Sequence, residues 1–200
     1  MARFLQDIAT DDWDDAGVAS KESWVVRRTA LRVAEDGRWP TLGELLSITT
    51  WCGGSGAAWA ERRTDFFVDG EILIEAVALW VPVDPSGQPR RLSPSFFAVY
   101  GEATAGRRVS GRVAKVPVTP GADRRPWPVR RADLDVAGHV NNAAIWCALS
   151  EVANGQVAFA TMTHHVALEG SDEVTLATDA GRLWLLVEDD VRVSGEFVVR

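Results

Sequence analysis

The sequence predicts an α+β protein that is made of two similar halves. The first observation is that one helix-like segment followed by four strand-like segments occurs twice, with a period of about 130 residues, which is typical of a duplicated domain rather than a solenoid. The second is that each half has one helix-like segment for its set of strands. A single helix packed on an antiparallel sheet buries one face of both. The third is a composition of 46% hydrophobic and 24% charged residues over 200 positions, which is that of a globular protein with room for two small domains.

In the first half, apolar residues at helical spacing predict a helix over residues 3–16, and Gly17 is its expected end. β-branched and alternating runs predict four strands after it, at residues 24–33, 45–52, 58–68 and 72–83. A short helix or packed turn is expected at 93–100. This half is predicted to be an N-terminal domain over residues 1–101.

Residues 102–126 are predicted to be an interdomain linker, because Gly, Pro and Arg are frequent there and apolar periodicity is weak. The second domain, residues 127–200, opens with a short strand at 127–131 and a helix from about 141 to 152. Four strands are expected after that helix, at residues 156–168, 173–178, 182–188 and 191–199. The first half starts at its helix and has no counterpart of the 127–131 strand, so we expect its open sheet edge to be completed by an upstream segment or a partner chain.

Charge, hydropathy and cysteine content exclude several classes of function. The net charge of −7 argues against nucleic acid as a partner, and no apolar run approaches the length of a membrane span. The two cysteines lie 95 positions apart, so the sequence predicts no disulfide scaffold, no cysteine zinc site and a cytoplasmic protein without a metal or cofactor. Its oligomeric state stays open, with a homo-oligomer among the alternatives.

The basic residues are concentrated in one part of the chain. Residues 106–131 contain eight basic residues and one acid, Asp123. One interpretation is a docking patch for a polyanionic partner around Arg107, Arg108, Arg124 and Arg125. The alternative is a solvated, arginine-rich linker.

The segment DLDVAGHVNN, residues 133–142, is the best candidate for chemistry. It brings Asp135, His139, Asn141 and Asn142 to the start of the predicted second-half helix, where unpaired N–H groups and the helix dipole favour an anion or a developing oxyanion. The alternative is structural: Asp135 or Asn141 caps the helix, and His139 is an ordinary turn residue.

This motif, extended to DLDVAGHVNNAAIWCALSE, resembles the second-repeat motif of acyl-acyl-carrier-protein (acyl-ACP) thioesterases, which carry the pattern D-x-N-x-H-V-N-N. The segments WVVRRTALRV, TWCGGSGAAWAERRTDF and EAVALWVPVD are similar to the first repeat of that family, in the same order. The resemblance implies two tandem hotdog repeats, each a long helix wrapped by a curved antiparallel sheet, with the first repeat lacking its N-terminal strand. It also implies acyl-chain binding in the first repeat and catalysis in the second.

Transferred residue by residue, the resemblance is incomplete. Asp135 and His139 occupy the acid and histidine positions of the family, but the asparagine between them is replaced by Ala137. The family's downstream Glu-Cys pair has no cysteine counterpart here, and Glu169 is the candidate that replaces it as a general base. Cys147 is interpreted as a buried apolar residue of the helix rather than a nucleophile. His164 and His165 are adjacent in a strand, which puts them on opposite faces and argues against a metal site.

These observations predict a thioester hydrolase that releases a fatty acid. Backbone N–H groups at Asn141 and Asn142 would stabilise the oxyanion, Asp135 would act as nucleophile or general base, and His139 would orient the carbonyl or the acid. The expected walls of the acyl site are Trp24, Trp51, Trp59 and Trp80. The carrier is acyl carrier protein or, alternatively, coenzyme A; a second alternative is an acyl-binding protein without catalysis.

Overall fold

The computed structural model describes residues 1–17, 23–35 and 37–200, which form two compact units divided between Arg112 and Val113. Residues 18–22 and 36, within the predicted N-terminal domain, lie outside the described residues. The first unit contains α1 (Ala2–Asp15), β1 (Ser23–Val33), β2 (Ser47–Ser55), β3 (Ala60–Val68), β4 (Glu71–Val83) and α2 (Pro94–Tyr100). The second contains β5 (Asp123–Pro126), a 3₁₀ turn (Arg131–Asp133), α3 (Asn142–Val152), β6 (Val157–His164), β7 (Val174–Asp179), β8 (Arg182–Val187) and β9 (Asp190–Val199).

In the first unit the four strands are antiparallel in the order β2-β3-β4-β1. The register of β1 and β4 places Trp24 opposite Pro82 and Val26 opposite Trp80, so these side chains share one face of the sheet. Gly17 lies just after α1 and has a φ of +59°. Glycine adopts this left-handed conformation without steric cost, as expected for the end of the helix.

In the second unit the strand order is β6-β9-β8-β7-β5, again antiparallel. One face of this sheet packs on α3, through buried residues that include Ile145, Ala148 and Leu149. On the other face Trp184 is buried against Val116, and its indole N–H donates to the Val116 carbonyl at 3.0 Å. Both faces are therefore covered, which accounts for the many fully buried residues of β8.

The two sheets correspond strand for strand except at one edge. In order of pairing, β1 corresponds to β6, β4 to β9, β3 to β8 and β2 to β7. Among the described residues no counterpart of β5 lies beside β2. Within the part of the chain that the structure describes, the first repeat has one strand fewer than the second, as predicted. The position predicted for the extra strand was wrong: it lies at Asp123–Pro126, whereas Trp127 follows it as a buried residue whose N–H donates to the Val174 carbonyl at 2.8 Å.

The segment predicted to be a linker is packed for much of its length. Its first part runs along the end of β2, where Ser55 N–H donates to the Arg107 carbonyl at 3.1 Å and Val109 N–H donates to the Ser55 carbonyl at 3.2 Å. Its second part, from Val116 to Ala122, packs on the outer face of the second sheet and continues into β5. Within the described residues no helix has both the length and the apolar character needed to cross a membrane.

Candidate functional site

The loop before α3 holds the Asp135 carboxylate in a fixed turn. Oδ1 of Asp135 accepts hydrogen bonds from the N–H groups of Ala137 at 2.9 Å and His139 at 3.1 Å. The turn closes through Gly138, whose φ of +83° favours glycine. Oδ2 has no protein partner among the described residues, and the side chain is exposed. One oxygen of this carboxylate is therefore positioned by the backbone while the other is available to a water or a substrate.

His139 lies beside Glu169, which the loop between β6 and β7 supplies. His139 Nε2 and Glu169 Oε1 are 3.3 Å apart, and the two side chains are 43% and 53% exposed. The backbones are joined as well, because Val140 N–H donates to the Leu168 carbonyl at 2.8 Å. Asp172 fixes the second loop by accepting the Glu169 N–H at Oδ2, at 2.7 Å. The structure thus brings together a histidine and an acid that lie 30 positions apart in the sequence.

The backbone N–H groups of Asn141 and Asn142, at the start of α3, differ in whether the protein already supplies them with an acceptor. Asn141 is the N-cap: its Oδ1 accepts the Ala143 N–H at 2.7 Å. Its own N–H donates to the Asp133 carbonyl at 2.7 Å, so the prediction that this N–H faces an oxyanion was wrong. The N–H of Asn142 donates to no acceptor among the described residues, which leaves it as the candidate oxyanion donor.

The site therefore contains a held carboxylate, an imidazole paired with a second carboxylate, and an N–H at a helix start. This set is suited to moving a proton from water and to stabilising negative charge on a carbonyl oxygen. Two further residues, Asp133 and Asp172, were not predicted as part of the site; they accept the backbone N–H groups of Asn141 and Glu169 and so position these residues. The only signal in the sequence was that each is an aspartate in a predicted turn.

Other reactive residues of the second unit have different surroundings. Cys147 is exposed on α3, so its interpretation as a buried residue was wrong; it faces away from the α3 residues that pack in the core. His165 contacts Ser194 Oγ through Nε2 at 3.0 Å, and His164 is buried in β6. In the part of the chain that the structure describes, no three His, Cys, Asp or Glu residues are grouped to hold a metal ion.

The first unit contains a cavity of about 190 Å³ with mainly aromatic walls. Of the four tryptophans predicted to wall an acyl site, Trp24 and Trp80 line this cavity, whereas Trp51 and Trp59 do not. Trp51 precedes Cys52, a lining residue, in β2 and so points to the opposite face of the sheet. Trp59 donates from its indole N–H to the Val109 carbonyl at 2.9 Å and lies over the segment that covers the end of β2. The remaining aromatic walls, which the sequence analysis missed, are Trp13, Phe96 and Tyr100.

A polar cluster from three elements lies in the wall of this cavity. Arg62 Nη2 donates to Asp12 Oδ2 at 2.7 Å, and the Tyr100 hydroxyl donates to the same oxygen at 2.9 Å. Burial and this hydrogen bond to Asp12 raise the pKa of Tyr100 to about 12. Burial also raises the pKa of the Cys52 thiol, which makes Cys52 a poor nucleophile.

Neighbouring Glu61 is held as an anion by two arginines. Burial opposes its charge, but hydrogen bonds from Arg107 Nη1 at 2.5 Å and Arg63 Nε at 3.0 Å outweigh burial, and the pKa of Glu61 lies below its ordinary value. The polar side chains of Arg62, Glu61 and Tyr100, which line the cavity, thus have protein partners of their own.

Comparison with known proteins gives matches over most of the chain. Residues 1–100 match the N-terminal domain of acyl-ACP thioesterases, and residues 120–182 match the C-terminal domain of the same family. Two uncharacterized proteins of Mycobacterium tuberculosis, MT2057 and Rv2001, are 25% identical in an alignment of 206 positions that covers 97% of this chain and 81% of each of those proteins.

Solved structures match the fold. The 12:0-ACP thioesterase from Umbellularia californica has a TM-score of 0.81 at 18% identity, over 98% of this chain and 86% of that one. An acyl-ACP thioesterase from Bacteroides thetaiotaomicron has a TM-score of 0.80 at 15% identity, with the same coverage of both chains. At these identities the likeness concerns the fold, and it confirms the predicted tandem hotdog architecture.

Proposed function

The chain belongs to the acyl-ACP thioesterase family and is a hydrolase of fatty acyl thioesters; on this premise we propose that its second unit performs hydrolysis with Asp135, His139 and Glu169. The observation that carries the proposal is the 3.3 Å contact between His139 and Glu169, beside a loop that holds Asp135 by its own backbone. We further propose that the aromatic cavity of the first unit receives the acyl chain.

In the proposed first step, Asp135 acts as the general base. Its Oδ2, which has no protein partner among the described residues, takes a proton from a water, and the water oxygen bonds to the thioester carbonyl carbon. The carbonyl oxygen becomes an oxyanion, for which the Asn142 N–H at the positive end of α3 is the candidate donor.

In the second step the carbon–sulfur bond breaks and the oxyanion returns to a carbonyl. The products are a carboxylic acid and a thiol. His139 donates the proton that the sulfur gains, and the proton that Asp135 took from water passes to His139, which restores both residues for the next turnover. Because a thiol has a pKa near 8.5, its thiolate leaves readily, and the histidine contributes less than the base does. Glu169, 3.3 Å from Nε2 of His139, fixes the orientation of the ring.

For the carrier, we propose acyl carrier protein, the donor that the family name specifies, rather than coenzyme A. Three of the four arginines predicted to dock it already contact acids: Arg107 contacts Glu61, Arg124 contacts Asp189 at 2.9 Å, and Arg125 contacts Glu151 at 3.2 Å. Arg130 and Arg131 are exposed, form no ion pair within the described residues and directly precede the Asp135 loop, so we assign the docking contact to them.

Two unpaired cysteines fit a reducing compartment, and we place the reaction in the cytoplasm.

A specific observation favours a second candidate, an acyl-binding protein without catalysis. Ala137, which stands where the family carries asparagine, is exposed and offers the loop only its N–H. The deciding experiment is a hydrolysis assay on acyl-ACP and acyl-CoA of graded chain length, together with binding of the corresponding free acids. Turnover that Asp135→Asn abolishes supports the enzyme, and binding of free acids without turnover of any thioester supports the second candidate.

A further inference from the structure

We propose that β2 pairs with β2 of a second copy of this chain, which makes the protein a two-fold dimer joined at the open edge of its first sheet. The occupant of that edge is thereby a partner chain, one of the two alternatives expected from the sequence. The proposal concerns the first unit and does not depend on the proposed hydrolysis.

The open edge is the side of β2 that faces away from β3. On that side Ser55 exchanges hydrogen bonds with the segment that holds Arg107 and Val109, so the end of the strand is covered. Within the described residues, the backbone of residues 47–51 forms hydrogen bonds to β3 only. Alternate residues of a strand turn both N–H and C=O away from an antiparallel neighbour, so this edge offers unpaired donors and acceptors.

The edge strands of the two sheets differ in how well they resist pairing. β5, at the edge of the second sheet, has the sequence DRRP, and its charges and proline are features that block the addition of another strand. β2 has none of these features. Residues 45–56 contain no charged residue and no proline, and residues 47–51 are β-branched or otherwise suited to a strand. Of the two edges, β2 is therefore the one built to accept a partner.

The loop that leads into β2 presents two leucines to solvent. Leu42 and Leu45 are 106% and 84% exposed. The loop is held by Glu44, whose Oε2 accepts hydrogen bonds from Arg38 Nη1 at 2.7 Å and from the Thr41 N–H at 2.6 Å. Because this turn is fixed by its own hydrogen bonds, the leucines stand beside the open edge in a defined position, where a second chain would cover them.

The symmetry of an antiparallel pair explains why the partner is a second copy. A strand that pairs antiparallel with itself about a two-fold axis is its own complement, and such a contact closes at two chains. The axis also brings each charge of the strand toward the same charge on the other copy, so self-pairing favours a neutral strand such as β2. With the axis at Thr49, the pair covers all of residues 47–51.

The first measurement is the mass of the whole chain in solution, by sedimentation velocity from micromolar to submillimolar concentrations. A reversible dimer is expected. Thr49→Lys places a charge at the centre of the edge, where each lysine faces its own copy, and should raise the dimer dissociation constant about tenfold or more. Thr49→Val is the matched control: it keeps a neutral β-branched side chain at this exposed position and should change the constant by less than about twofold.

A second pair of variants tests the leucines. Leu42→Lys with Leu45→Lys should also raise the dissociation constant about tenfold or more, because both side chains would be buried in the dimer. Val198→Lys with Val199→Lys makes the same charge change at two exposed valines of β9 and should leave the constant unchanged. Since the chain has a net charge of −7, added lysines lower the general repulsion between copies, so weaker association reports the local contact.

A wild-type chain that stays monomeric at every concentration would overturn the proposal, and that measurement needs no variant. A dimer that persists unchanged in Thr49→Lys, with circular dichroism like that of the wild type, would place the contact elsewhere and overturn it too. Growth beyond two chains would exclude a closed two-fold pair. If Thr49→Lys disrupts the dimer and the leucine variant does not, the strand pairing is supported and the contact is confined to β2.

Discussion

Asp135 combines a structural and a chemical role in one side chain, and the two can be separated by substitution. Asn keeps an oxygen that accepts the N–H groups of Ala137 and His139, but it cannot take a proton from water. Asp135→Asn is therefore expected to lower kcat by about 10⁴-fold, the upper end for a general base, without changing the Tm. Asp135→Ala also removes the oxygen that holds the turn, so the Tm of this variant is expected to fall by about 2–4 °C. Wild-type turnover in Asp135→Asn, measured on acyl-ACP, would exclude this residue as the base.

His139 and Glu169 are expected to act as one unit. His139→Ala is expected to cost about 10²-fold in kcat, less than the loss of Asp135, because the thiolate leaves without much help. Glu169 acts through the ring of His139, so it is a positioning residue and Glu169→Gln should cost less again. In the His139→Ala background, Glu169→Gln should add no further loss. Single-turnover rates of the four proteins test this, and additive losses would show that Glu169 works independently of His139.

Among the elements, α1, β3 and α2 are linked through Asp12, Arg62 and Tyr100. Tyr100 is the only tyrosine in the sequence, so tyrosinate absorbance reports its ionisation directly. Its pKa is raised to about 12 in the folded protein, against about 10 for an unfolded chain. The folded state thus holds this proton more tightly, and the stability that follows is present below pH 10 and is lost as the pH rises toward 12.

The expected result is a tyrosinate midpoint near pH 12 in buffer and near pH 10 in urea. The free energy of unfolding should fall between those pH values in the wild type more than in Tyr100→Phe, which serves as the control for all other titrating groups. A midpoint near 10 in the folded protein would mean that the hydroxyl is neither buried nor bound to Asp12.

The elements also show where sequence reasoning succeeded and where it failed. Strong apolar periodicity gave α1, α3 and the eight longer strands to within a few residues, because hydrophobic patterning determines which face each element buries. β5 was misplaced by four residues because its exposed residues, DRRP, carry no apolar alternation, and only pairing with β7 makes them a strand. The contact between His139 and Glu169 could be anticipated only from the resemblance, since no local pattern relates residues in two separate loops.

For the whole molecule, the distribution of charge was the least predictable property. The sequence counts eight basic residues between positions 106 and 131, but it does not show which of them meet acids from distant positions. Folding pairs Lys115 with Asp190 at 2.7 Å and Arg124 with Asp189, 75 and 65 positions away. Four of the eight basic residues therefore contact acids, and Arg108, Arg112, Arg130 and Arg131 form no ion pair within the described residues.

Docking of an acidic carrier is accordingly expected to depend on Arg130 and Arg131. Reversing both charges, with Arg130→Glu and Arg131→Glu, should raise KM for acyl-ACP several-fold at low salt and leave kcat nearly unchanged, since neither side chain has a role in the proposed chemistry. The effect should shrink as salt is added, because exposed charges are screened over about 10 Å at 0.1 M. Arg90→Glu with Arg91→Glu is the matched control: it makes the same change in net charge at two exposed arginines of the first unit. If both double variants raise KM equally, net charge rather than a docking site attracts the carrier, and if neither does, the carrier is recognised through other residues.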